Sequence, residues 1–108
     1  MDKDRLVKVA GVIAARNVPA TVREVVLSWL EGTKQLELYF FSDQELSEDE
    51  LDLCEIALTE LYADVWQGVE KVATEHSVGR SAGTLQPHSW VVYARPNPAL
   101  QPTAAGCG

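Results

Sequence analysis

Basic residues are missing from the middle of this chain. Between Lys34 and Lys71 there is no Lys or Arg, yet eleven of the sixteen acids fall there: Glu37, Asp43, Glu45, Glu48, Asp49, Glu50, Asp52, Glu55, Glu60, Asp64 and Glu70. The 108 residues carry nine cations in all and a formal net charge of −7. A field of that sign repels nucleic acid and anionic membrane and attracts basic partners. Long apolar runs are missing too, none approaching the ~18 residues of a membrane span. Met1-Asp2-Lys3-Asp4-Arg5 is polar and of both signs, unlike the start of a secretory signal. Cysteine is scarce. Cys54 falls in an expected helix and Cys107 beside the last residue, so no disulfide framework is implied. Reduced thiols without a signal point to a cytoplasmic protein.

What is present suits one soluble domain. A 108-residue chain with 46% hydrophobic residues can bury a single core without staples. Leu6, Val9, Ala10, Ile13 and Asn17 share one side at helical spacing, predicting a helix from Asp4 to Arg16 that Pro19 ends. A hairpin follows. A type II′ turn at Gly32-Thr33 sets Trp29 opposite Leu36, Leu27 opposite Leu38 and Val25 opposite Phe40, giving one wholly apolar face. Ser47 with Glu50 then forms a capping box, and Leu46 with Leu51 a hydrophobic staple. The helix they open carries Leu51, Cys54, Leu58, Leu61, Tyr62, Val65, Val69 and Val72 on one stripe, to about Glu75, with a bend at Gly68. A loop over Ser77 to Gln86 leads to a last strand, His88 to Arg95, which places Trp90, Val92 and Ala94 on one face and Val91, Tyr93 and Arg95 on the other. The expected fold is α+β, in the order α-β-β-α-β. Its three-stranded, mainly antiparallel sheet has two helices on one face, in a single domain over 1–95. Such a sheet leaves edges and one face open, which predicts a homodimer or higher oligomer.

From residue 96 the composition is poor in large apolar side chains, predicting a disordered tail. Asn97-Pro98-Ala99-Leu100-Gln101-Pro102-Thr103-Ala104 resembles the C-terminal tails of bacterial integron mobile gene cassette proteins. That resemblance implies a bacterial cassette origin and frequent oligomerisation, and it carries no chemistry.

The acidic helix is the leading candidate for a functional surface. Leu53 and Ile56 fall opposite the core stripe, among Asp49, Asp52, Glu60 and Asp64. Against a merely solvated acidic face, two apolar residues one turn apart favour a partner or subunit contact. Small acidic immunity proteins, which cover cationic toxins, are similar in general look, with no motif matched residue by residue. The competing site is an aromatic-lined pocket drawing on Tyr39, Trp66, Tyr93 and His88, with Trp29 and Trp90 as core. Aromatics on half-buried strands are more often core than ligand contacts.

Catalytic groups are few. His76 and His88 are the candidate acid–base groups, and Cys54 lies on the core stripe. No metal-ligand spacing is present and no cofactor is implied. The loop Gly79-Arg80-Ser81-Ala82-Gly83-Thr84 lacks the lysine of a phosphate-binding loop. The reading is thus a non-enzymatic protein-interaction module with a basic protein partner. The alternative is a small-molecule binder or enzyme using the aromatic pocket.

Overall fold

The computed structural model of the chain describes residues 2–80, 83 and 87–95. The tail from residue 96, with its cassette-like segment, lies outside them. Helix α1 (Lys3–Asn17) starts where the Asp2 carboxylate accepts the Arg5 N–H at 3.2 Å. It stops at Val18, which is extended and donates its N–H to the Ala14 carbonyl at 3.0 Å. Pro19 allows no helical continuation there. Its buried stripe is Leu6, Ala10, Ile13 and Ala14.

Strands β1 (Val22–Leu30) and β2 (Gln35–Ser42) pair in the expected antiparallel register, Val25 with Phe40, Leu27 with Leu38 and Trp29 with Leu36. A bulge at Arg23 turns Val22 inward together with Val25. The turn differs from the type II′ geometry. Four residues, Glu31 to Lys34, connect the strands, and it is Lys34 rather than Gly32 that takes a positive φ, of 53°. The reason is on the neighbouring strand: the Lys34 carbonyl accepts N–H bonds from Glu70 at 2.8 Å and Lys71 at 3.3 Å.

Helix α2 (Glu48–Val65) has the capping box read from the sequence, with Glu50 N–H to Ser47 Oγ at 3.2 Å and Ser47 N–H to Glu50 Oε1 at 2.9 Å. The Thr21 hydroxyl donates to the same Glu50 carboxylate at 2.5 Å, tying the helix start to the entry of β1. Its buried residues are Cys54, Ala57, Leu58, Leu61 and Val65. Leu51 and Tyr62, expected on the core stripe, are exposed instead.

The expected three-stranded, mainly antiparallel sheet is corrected here. α2 ends at Val65, a short 3-10 turn spans Trp66–Gly68, and the residues beyond form a strand, β3 (Lys71–Val78). β3 runs parallel to β2, while β4 (Ser89–Ala94) runs antiparallel to β1. The sheet has four strands in the order β3-β2-β1-β4 and is mixed, so the element order is α-β-β-α-β-β. Val65, Val69 and Val72 continue a helical stripe by spacing, which hid the change of period. Gly68 is a terminator, not a bend. Beyond it no residue of β3 is buried, so the edge strand lacks the inside–outside alternation that identifies a half-buried one. The loop at Gly79 therefore does follow a strand.

One core joins the stripes of both helices to Val25, Leu27, Trp29, Leu36, Leu38 and Phe40, so the helices share one face of the sheet. Gly11 lets α1 lie close on β4: a Cβ there would meet the Val92 carbonyl oxygen at 3.0 Å. β4 is itself bulged, Val91 pairing with Val26 but Tyr93 with Val25. Trp90, Val92 and Tyr93 consequently all pack against the core, which corrects the outward placement of Tyr93. The opposite sheet face carries Val26 and Ser28, both buried, with Glu37, Tyr39 and exposed Val91, and bears no helix among the described residues.

Candidate protein-interaction surface

Helical spacing sets Asp49, Asp52, Leu53, Ile56, Glu60 and Asp64 along one side of α2, and the structure divides that side in two. In the C-terminal half the acids are committed to α1. Glu60 accepts Arg16 Nη2 at 2.7 Å and Asn17 Nδ2 at 2.9 Å, while Asp64 accepts Arg5 Nη2 at 3.2 Å. Asn17 also donates to the Ile13 carbonyl at 3.0 Å, which closes the end of α1 around the Glu60 carboxylate. The Arg16 hydrogen bond, then that of Asn17, holds the Glu60 carboxyl below its usual range. These two carboxylates bridge one helix to the other.

In the N-terminal half nothing of the kind occurs. Among the described residues no cation pairs with Glu45, Glu48, Asp49 or Asp52. Leu53 and Ile56 stand among them at 37% and 44% exposure. Two acids of this half are bonded within the molecule: the Ser47 backbone N–H and the Thr21 hydroxyl hold the Glu50 carboxyl below the usual range, and Glu55 accepts from the Thr74 hydroxyl at 3.1 Å. The remaining acids rim an apolar centre, the composition of a protein-binding patch. Beyond the ion pairs, a shallow groove between the helices is lined by Lys8, Val12, Arg16, Glu60 and Ala63, with Val12 57% exposed.

The residues considered for an aromatic pocket are dispersed. Tyr39 lies on the open sheet face and donates to Glu37 at 2.5 Å, beside Gln35 donating to the same carboxylate at 2.6 Å. That bond, then burial, pushes the Tyr39 phenol up to about 12. Trp66 follows α2 and is 55% exposed, while Tyr93 packs on the helix side. His88 lines an open cleft of about 460 Å³ with Trp29 and Trp90. Trp29 is buried and donates its indole N–H to Glu31 at 2.8 Å, which lowers that carboxyl's pKa.

His76 stacks on Phe40, ring centroids 5.3 Å apart, at the sheet edge opposite the one that follows His88. Cys54 is fully buried and its thiol is pushed up to about 12 by burial, so it is protonated at neutral pH. Among the described residues no three His, Cys, Asp or Glu side chains gather into a metal-like cluster. One cluster escaped the sequence reading. Asp43 is gripped by Arg95 at 2.6 Å and Arg23 at 3.1 Å, and Arg95 also donates to the Ala20 carbonyl at 2.5 Å. The Arg95 hydrogen bond is the chief cause of a lowered Asp43 pKa. No spacing signals this clamp, because its arginines lie 20 and 52 positions away in sequence.

A family model described as MafI2 immunity protein matches residues 9–97, from within α1 to beyond β4. The chain belongs to the MafI2 immunity protein family. The match takes in all four strands and the whole of α2. MafI2 is a polymorphic-toxin immunity family, so membership supports a protein-interaction role and says nothing of a gene cassette. No curated protein matches the chain as a relative. No helix among the described residues of this MafI2 member is long and apolar enough to cross a membrane.

Proposed function

We propose that this protein is a non-enzymatic immunity protein that binds a protein toxin with a basic surface and occludes it, using the first half of α2. The observation that carries the reading is the uncompensated patch of Asp49, Asp52, Leu53 and Ile56, standing beside acids of the same helix that α1 has neutralised. Acids without internal partners steer a cationic protein and select it, while the desolvated leucine and isoleucine supply lasting contact. Family membership supports the class of partner, and the excess of negative charge supports its sign. The cytoplasm is where such a protein would intercept its toxin.

The test is neutralisation of the cognate toxin, measured as growth of cells producing both proteins and as association kinetics in vitro. The wild-type protein protects, and its association slows as the Debye length falls below ~10 Å. Asp49→Lys with Asp52→Lys protects poorly. A protein that binds its toxin equally well with those lysines in place, or with no dependence on salt, overturns the assignment of this patch.

A further inference from the structure

The two edges of the sheet are built differently. β4 spans six residues, is interrupted by a bulge against β1, and lies between Pro87 and Pro96. Those are the devices that discourage edge-to-edge pairing. β3 has none of them. Its eight residues run in unbroken register along β2 from Lys71 to Val78, without proline or bulge, and no described residue pairs with its outer side. Val72 and Val78 on it are exposed. Among the described residues this edge is open for a strand.

Its sequence names the strand that fits. Reading Glu70-Lys71-Val72-Ala73-Thr74-Glu75-His76 against itself in the antiparallel sense, with Ala73 on the axis, sets Lys71 opposite Glu75, Val72 opposite Thr74 and Glu70 opposite His76. Lys71 and Glu75 lie on the open-face side with Ala73, are both exposed, and have no ion-pair partner among the described residues. A two-fold axis makes the Lys71–Glu75 pairing occur twice. Val72 and Thr74, both β-branched, meet on the helix side, a favourable cross-strand combination. Moving the axis to Glu75 would place two carboxylates opposite each other, and moving it to Thr74 would leave Lys71 facing Ser77, so the charges select the register around Ala73.

We infer that β3 is a dimerisation edge, and that a second copy of this chain pairs with it antiparallel about Ala73. This joins the two four-stranded sheets edge to edge through an isologous contact. Backbone hydrogen bonds supply the attachment and the Lys71–Glu75 pairs set its register. The contact is made by β3 and uses none of Asp49, Asp52, Leu53 and Ile56, so the inference stands independently of the toxin reading.

Mass in solution, by light scattering after size exclusion, tests it. The wild-type chain should run at twice its 11.9 kDa mass. Glu75→Lys opposes lysine to lysine at both symmetric positions and should return the mass to that of one chain. Lys71→Glu together with Glu75→Lys recreates opposite charges and should restore the dimer. Both positions are exposed, and circular dichroism confirms that each variant is folded. Leu53→Glu with Ile56→Glu should leave the dimer intact. A monomeric wild type, a dimer indifferent to Glu75→Lys, or a charge swap that fails to restore it each overturns the proposal.

Discussion

The two halves of α2 carry similar residues and do different things. Glu60 and Asp64, near its end, are bonded to Arg16, Asn17 and Arg5 of α1, and their charge is used inside the molecule. Asp49 and Asp52, near its start, have no such partner among the described residues and surround exposed Leu53 and Ile56. An acidic helix is therefore not one surface. Opposing cations decide which carboxylates build the fold and which remain to meet something else, and the two cations of α1 that pair with α2, Arg5 and Arg16, both reach its far half.

The widest contrast comes from truncating each half. Leu61→Ala removes a fully packed side chain and should cost about 2–5 kcal/mol in denaturant unfolding, with toxin affinity preserved while the protein stays folded. Leu53→Glu with Ile56→Glu should do the reverse. Stability stays within about 0.5 kcal/mol, and toxin dissociation quickens by ~30-fold or more, as loss of a central apolar anchor does. If that pair unfolds the protein instead, the two halves are not functionally separate. Smaller again is Asp49→Lys with Asp52→Lys, which should slow association by about tenfold at low salt and flatten its salt dependence.

The smallest effect sharpens the comparison from the other side. Glu60 has its pKa lowered in the folded state by Arg16 and Asn17. A group depressed on folding stabilises at pH above its unfolded pKa, and that contribution is lost as pH falls through its folded value. Acid titration of unfolding should therefore show a modest loss below the ordinary carboxylate range that Arg16→Gln reduces. Exposed pairs of this kind are screened, so the shift is small beside that of Leu61→Ala.

Much of this was legible from local chemistry. The Ser47–Glu50 box, the Pro19 stop and the β1–β2 register are set by residues close in sequence, and each stands where the pattern put it. The exposure of Leu53 and Ile56 was legible as well, since it follows from helical geometry. β3 was not, because a strand at a sheet edge with no buried residue shows no period of two, and its valines extend the helical stripe of α2. Tyr93 was misplaced by the bulge in β4, which inverts the alternation at one residue. The partition of acids between α1 and solvent was out of reach, because it depends on how two helices separated by a hairpin lie against each other. The same limit hid the grip of Arg23 and Arg95 on Asp43.

The connection from β2 to its parallel neighbour β3 runs through α2 itself. Strand and helix are thus covalently consecutive, and Thr74 of β3 donates to Glu55 of α2 at 3.1 Å. Neither can open far without loosening the other, while the β1–β2 hairpin keeps its pairing with β4 and its packing on α1. In hydrogen exchange the amides of α2 and β3 should behave as one cooperative unit that opens before the hairpin. A ligand gripping Leu53 and Ile56 would then slow exchange along β3 as well, and that sheet edge would be quietest when the helix is occupied.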